Sequence, residues 1–201
     1  MIDVSYLESY INLPKRKNRF LKLLARVYFF FFRWKTEGEI PDVKKGIVLV
    51  APHTSNWDFV HLLFFSFLIE VKVSWFGKHT IFRGPFNRLF RYFGGIPVDR
   101  SMHHSFVEKM VEEFEKRERF ILALSPEGTR SPVKKWKSGF YFIAKRLNIP
   151  VVLLGLDYRE KVITFLPPLY FNENTEKEDA IREVKKRFAR FNAKYPDKFL
   201  Y

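Results

Sequence analysis

Apolar and polar positions alternate along this chain in blocks that switch repeatedly between a strand-like and a helix-like period. Gly46 to Ala51, Val71 to Gly77, Gly94 to Arg100, Phe120 to Leu124, Pro150 to Leu156 and Val162 to Leu166 are short, nearly continuous apolar runs. Runs of that length and composition predict strands buried on both faces. Between them lie segments with helical spacing: Asn56 to Ile69, His79 to Phe93 (broken by Gly84-Pro85), Ser101 to Arg117, a segment ending at Leu147, and Thr175 to Phe191. In the Ser101 helix, Phe106, Met110 and Phe114 with Val107 and Val111 form an apolar stripe. Strands alternating with helices predict an α/β fold with a mixed, mostly parallel sheet flanked by helices. Thr36 to Pro41 fits a short edge strand or a loop.

The first 35 residues differ in character. Val4 to Leu13 has a short helical pattern stopped by Pro14, and a basic helix is expected from Asn18 to Trp34. Its apolar stretch is too short, and too interrupted by Lys22 and Arg26, to span a bilayer. Lys15, Arg16, Lys17 and Arg19 precede it and Phe29 to Phe32 end it. That arrangement suits a helix lying in a membrane interface, and packing on the domain's own core is the alternative. The expected organisation is therefore N-terminal basic amphipathic membrane-docking helices over 1–35 and one α/β domain over 36–201. A secretory signal is not expected, because the Met1-Ile2-Asp3-Val4 opening has no basic n-region.

Composition narrows the function classes. The 201 residues carry a formal net charge of +14, 18% are aromatic, and none is cysteine. Cysteine nucleophiles, disulfides and thiolate metal sites are excluded. The excess of positive charge suits an anionic membrane, nucleic acid or an acidic protein. A nucleic-acid-binding protein rests on charge and aromatics alone, with no recognised motif behind it.

The chemistry concentrates in turns that follow strands. His53-Thr54-Ser55-Asn56-Trp57-Asp58 links the first core strand to its helix. Ligands of open α/β sheets bind at the carboxyl ends of strands. A carboxylate on one imidazole nitrogen fixes the tautomer and frees the other nitrogen to take a proton. His53 and Asp58 are thus a candidate general base and its orienter. The plainer reading is that Asp58 only closes a capping box with Ser55. Arg100 and Arg130 each follow an apolar strand. Gly128 allows close backbone approach, Thr129 adds a hydroxyl and Arg130 a fork of donors, a combination that suits a phosphate; a polar turn with Glu127 paired to an arginine is the alternative. Phe82, Phe86, Leu89, Phe90 and Phe93 could line an acyl pocket or pack in the core. Lys134, Lys135 and Lys137 form either a solvated face or a docking patch for an anion. His61, one turn past Asp58, raises a His53/Asp58/His61 metal site as a minor alternative. His79, His103 and His104 are expected at the surface.

Four of these stretches together resemble the glycerolipid acyltransferases, the lysophosphatidate acyltransferase (PlsC-like) family. His53 to Asp58 resembles its H-x-x-x-x-D motif, Gly94 to Arg100 its second block, Pro126-Glu127-Gly128-Thr129-Arg130 its P-E-G-T-R block, and Ile149 to Leu153 its fourth, proline-bearing block. They occur in family order over residues 45 to 157. The chain departs from the family pattern at Pro52, Ser125 and Leu153. The resemblance implies an acyltransferase of the 1-acylglycerol-3-phosphate O-acyltransferase type. It would act in phospholipid biosynthesis at the cytoplasmic face of the membrane as a peripheral protein. His53 and Asp58 would be catalytic, and Arg100, Glu127, Gly128, Thr129 and Arg130 would bind substrate. The donor would be acyl-CoA or an acidic acyl-carrier protein and the acceptor a lysophospholipid, with no cofactor, no metal and no nucleic acid. An acyltransferase for a non-phosphate lysolipid or aminolipid is the alternative within that chemistry.

Overall fold

The structure is a computed structural model and describes residues 10–98 and 105–201. Most of the Val4–Leu13 pattern, Asp99, Arg100, the Ser101 cap, His103 and His104 lie outside the described residues. Seven strands form one sheet in the order β1-β7-β6-β2-β5-β3-β4. They are β1 (Lys35–Glu37), β2 (Lys45–Ala51), β3 (Val73–Lys78), β4 (Gly95–Val98), β5 (Phe120–Leu124), β6 (Val151–Asp157) and β7 (Val162–Leu169). Every neighbouring pair is parallel except β6 and β7, which run antiparallel. This is the mixed, mostly parallel sheet that the alternating pattern predicts. Apart from Lys45 at the start of β2 and Asp157 at the end of β6, these central strands are apolar, because helices cover both faces.

One face packs Ile47, Leu49 and Ala51 with Phe114, Ile143, Val184 and Phe188 of α4 (Ser105–Glu115), α5 (Gly139–Leu147) and α6 (Lys177–Phe188). The other packs Val50, Val152 and Leu154 against α1 (Arg19–Phe32) and α2 (Asn56–Leu68). Helix α1 starts at Asn18, whose side-chain oxygen accepts the Leu21 N–H at 3.0 Å, and ends at Arg33 in the left-handed region (φ 57°). Its buried residues, Leu21, Ala25 and Phe29, are spaced by four and face α2 and the sheet. The opposite face leaves Phe20, Leu23, Phe30 and Phe31 exposed. No helix among the described residues is long and apolar enough to cross a membrane.

Several expectations shift. Residues 10–14 are not helical: Asp42 accepts the backbone N–H groups of Ile11, Asn12 and Leu13 and holds them in a loop. Thr36 to Pro41 yields the short edge strand β1. The His79–Phe93 region divides into a 3-10 turn (His79–Phe82) and α3 (Asn87–Tyr92). Within it Phe82 is buried, but Phe86 and Leu89 point outward, so these residues form neither one pocket nor one core stripe. His79 is half-buried, with an Nδ1 that lacks a hydrogen-bond partner.

The parallel pairing brings the carboxyl ends of β2, β3, β4, β5 and β6 to one edge of the sheet. A C-terminal segment also reaches that edge. The Phe191 ring packs against Gly155 of β6, where a Cβ would stand 2.1 Å from the ring. The chain crosses there, and Tyr195 N–H donates to Thr54 Oγ1 at 3.3 Å.

Candidate active site

Ser55 is the N-cap of α2 and Asp58 its third residue, and both halves of a capping box are formed. Asp58 is fully buried. Its Oδ2 accepts the N–H groups of Thr54 (2.7 Å) and Ser55 (2.8 Å) and lies 3.3 Å from Nδ1 of His53. The capping box is therefore formed, and the same carboxylate oxygen that closes it also lies against the His53 ring. With Nδ1 turned to Asp58, Nε2 of His53 is the nitrogen left for a substrate. The imidazole remains partly open, at 26% side-chain exposure.

Two further groups fix this turn. The Tyr158 hydroxyl, from the turn after β6, donates to Oδ1 of Asp58. Burial and the neighbouring Asp58 carboxylate both hold that phenol well above its ordinary value, so it stays a donor. Glu127, from the turn after β5, is also buried; its Oε2 accepts the His53 N–H at 2.8 Å and the Ser125 hydroxyl at 3.1 Å. Burial pushes its carboxyl up to about 7, against the lowering effect of His53 and those two donors. Glu127 thus anchors the backbone of the histidine and, among the described residues, forms no ion pair with an arginine.

The rest of the P-E-G-T-R turn is more open. Gly128 adopts φ +68°, a region that favours glycine, and a Cβ there would come within 2.9 Å of Lys137 Cγ. Thr129 Oγ1 accepts the Ser131 N–H at 3.1 Å. Arg130 is exposed, and its guanidinium donates to the side-chain oxygen of Asn56, the first residue of α2. Gly128, Thr129 and Arg130 therefore stand beside the amino end of α2, next to His53. Arg100 lies outside the described residues; β4, which leads to it, ends at this same sheet edge.

His61 is buried but has a different role. Its Nδ1 is 2.8 Å from the Tyr28 hydroxyl of α1, and Tyr28, Phe32, Trp34, Trp57 and Tyr158 surround the ring. Burial lowers its pKa to about 4, opposed by Asp58 and assisted by Lys194. It is a neutral strut between α1 and α2, with its Nδ1 engaged by the Tyr28 phenol. No group of three or more His, Asp and Glu side chains among the described residues is arranged to hold a metal ion. The Lys194 ammonium lies 5.2 Å from the Trp57 ring centroid and so brings a cation to the rim of the site. Sequence reasoning passed over Tyr158, Asn56 and Lys194. Only Tyr158 carried a signal, its place just beyond a core strand.

The sequence model of the family described as Acyltransferase matches residues 32–156, well over half of the chain. No curated protein matches by sequence. Among solved structures, the chain is similar to the crystal structure of the 1-acyl-sn-glycerophosphate (LPA) acyltransferase PlsC from Thermotoga maritima. The TM-score is 0.59 and the identity 18%, over 86% of this chain and 76% of that one, a likeness of fold.

Proposed function

Because the chain belongs to the Acyltransferase family, we propose that it transfers a fatty acyl group from the thioester of acyl-CoA or an acyl-carrier protein to the hydroxyl of a lysophospholipid. The best-fitting acceptor is 1-acylglycerol-3-phosphate, giving phosphatidate. The observation that carries this reading is the His53–Asp58 pair, held by buried hydrogen bonds, with Nδ1 toward Asp58 and a partly exposed imidazole. Nε2 removes the proton of the acceptor hydroxyl as its oxygen attacks the thioester carbonyl. The contact to Asp58 tightens as the imidazole becomes charged. The C–S bond then breaks, and the thiolate takes the proton back from His53. A thioester is already activated, so the reaction requires no covalent intermediate on the protein. Arg130, the Gly128–Thr129 backbone and Arg100 would hold the acceptor phosphate.

The outward face of α1 supports the membrane part of the proposal. Phe20, Phe30 and Phe31 are each more than 70% exposed, and Arg19 and Arg26 share the helix with them. Such a helix suits the interface of an anionic leaflet, which would place the protein as a peripheral enzyme on the cytoplasmic face. The deciding test is acyl transfer from labelled acyl-CoA, and in parallel from acyl-carrier protein, to lysophosphatidate in anionic vesicles. Wild-type turnover that His53→Ala abolishes, in protein that still folds and binds vesicles, supports the mechanism. Turnover that survives His53→Ala overturns it.

A further inference from the structure

A cleft of about 820 Å³, with no lining residue from the His53–Asp58 turn, lies between the Lys134–Ser138 loop and the outer side of α6. Six cations line it: Lys134, Lys135, Lys177, Arg182, Lys185 and Lys186. Lys177 is paired with Glu178 at 2.9 Å and Arg182 with Asp179. Among the described residues the other four have no ion pair within 4.0 Å. Arg182 and Lys186 are four apart on α6, a like-charge spacing that weakens a helix. The two walls are nonetheless joined: Lys185 Nζ donates to the Lys134 carbonyl at 2.8 Å and lies 5.5 Å from the Trp136 ring centroid. Trp136 is itself buried and pinned by its indole N–H to the Leu200 carbonyl. This is a concave, built, strongly positive surface, which calls for a ligand with several negative charges.

The cleft also belongs to the catalytic edge. Lys137 N–H donates to the Pro126 carbonyl at 2.7 Å and its side chain covers Gly128, so the loop folds back on the P-E-G-T-R turn. From the other side, the segment after α6 is tied to the end of β6 by Asn192 on Asp157. A ligand held here has the turn beside His53 as its neighbour.

Resting on the acyl-transfer reading above, we infer that this cleft binds the phosphorylated nucleotide end of the donor thioester, a nucleoside carrying both 3′- and 5′-phosphates. The volume falls in the range of small-molecule sites, roughly 300–1,000 Å³. A carrier protein would need a broad face, on the order of 800 Å². A membrane would need several exposed apolar anchors, whereas Trp136 is buried and Tyr201 is the one large aromatic exposed among the lining residues. Four unpaired lysines match the phosphates of a bisphosphorylated nucleoside, and salt should weaken the complex.

The test is binding of adenosine 3′,5′-bisphosphate and of CoA to the full-length protein by calorimetry, at low and moderate salt. Binding at least tenfold tighter than that of adenosine 5′-monophosphate is expected. The pairs Lys135→Glu/Lys186→Glu and Lys135→Gln/Lys186→Gln should weaken CoA at least tenfold and raise the KM for acyl-CoA. The KM for the lysolipid and kcat should not change, and His53→Ala should bind CoA as wild type does. Wild type that ignores the bisphosphate at millimolar concentration, or folded variants of both pairs that bind CoA unchanged, would overturn the inference. So would variants that lose only a carrier protein or anionic vesicles. Binding is measured without turnover, so a failure of the acyl-transfer reading is seen separately.

Discussion

Asp58→Asn separates the charge of the carboxylate from its geometry. Oδ2 serves two backbone N–H groups and His53, whereas Oδ1 serves only the Tyr158 hydroxyl. Two fixed N–H donors cannot face an amide NH2, so the asparagine oxygen must take the Oδ2 position. Its NH2 then faces Tyr158, whose hydroxyl accepts in place of donating. The cap, the tautomer and the ring orientation all survive; only the negative charge is lost. At 3.3 Å and an effective dielectric of about 20, that charge stabilises an imidazolium by roughly 5 kcal/mol. Allowing for relaxation, kcat should fall about 10³-fold, with the KM for the lysolipid within about threefold. The melting temperature should stay within about 2 °C of wild type. Asp58→Ala should match the kinetic loss and also remove the cap, costing about 1–2 kcal/mol more, or roughly 2–8 °C for a chain of this size. Steady-state acyl transfer and thermal melts of both variants decide the matter. A folded Asp58→Asn within tenfold of wild type would confine Asp58 to capping, and one as unstable as Asp58→Ala would refute the assignment of the oxygens.

Three other outcomes follow from the same geometry. Glu127 titrates at about 7 in the fold against 4.5 ordinarily. Its contribution is therefore complete below pH 4.5 and is lost as pH rises through 7, about 3 kcal/mol in all; in urea titrations Glu127→Gln should lack that part of the decline, and parallel pH–stability curves would count against it. Tyr158→Phe leaves Oδ1 of buried Asp58 without its donor, so a loss of about 2 kcal/mol and a kcat about tenfold lower are expected; unchanged melting and kcat would deny Tyr158 a positioning role. Gly128→Ala meets both φ +68° and Lys137. It should cost about 1 kcal/mol and raise the KM for the phosphate-bearing acceptor more than it lowers kcat, and an unaltered KM would remove this turn from the acceptor site.

The strand and helix pattern, the His53–Asp58 turn and the P-E-G-T-R turn were legible because each is local. Apolar runs mark strands, and a cap five residues after a histidine sets that pair by itself. Strand order is not local. Only the placement of β5 and β6 on either side of β2 brings Glu127 and Tyr158 onto the two ends of the same hexapeptide. Glu127 reads in sequence as a substrate contact or, in the plainer reading, an arginine's partner; the fold makes it an acceptor for the His53 N–H, a contact that no local pattern announces. His61 shares a helix face with Asp58 and suggests a metal ligand; the phenol that occupies it comes from α1, more than thirty residues away. The outward Phe86 and Leu89 have helical spacing like core residues, and nothing local tells the two apart.

Three consecutive amides in the turn after β2 have an unusual set of acceptors. His53 donates to Glu127, and Thr54 and Ser55 donate to Asp58, all into buried carboxylates. Turn amides ordinarily trade their protons with water within seconds, because small local openings expose them. Here an opening must strand a charge or pull a carboxyl group out of the interior, so these three protons should exchange on the timescale of the central strands. The segment that carries the chemistry is then among the last parts of the molecule to open. Under the proposed reaction, any motion that admits substrate and releases product must come from the surfaces around it, because this turn does not yield.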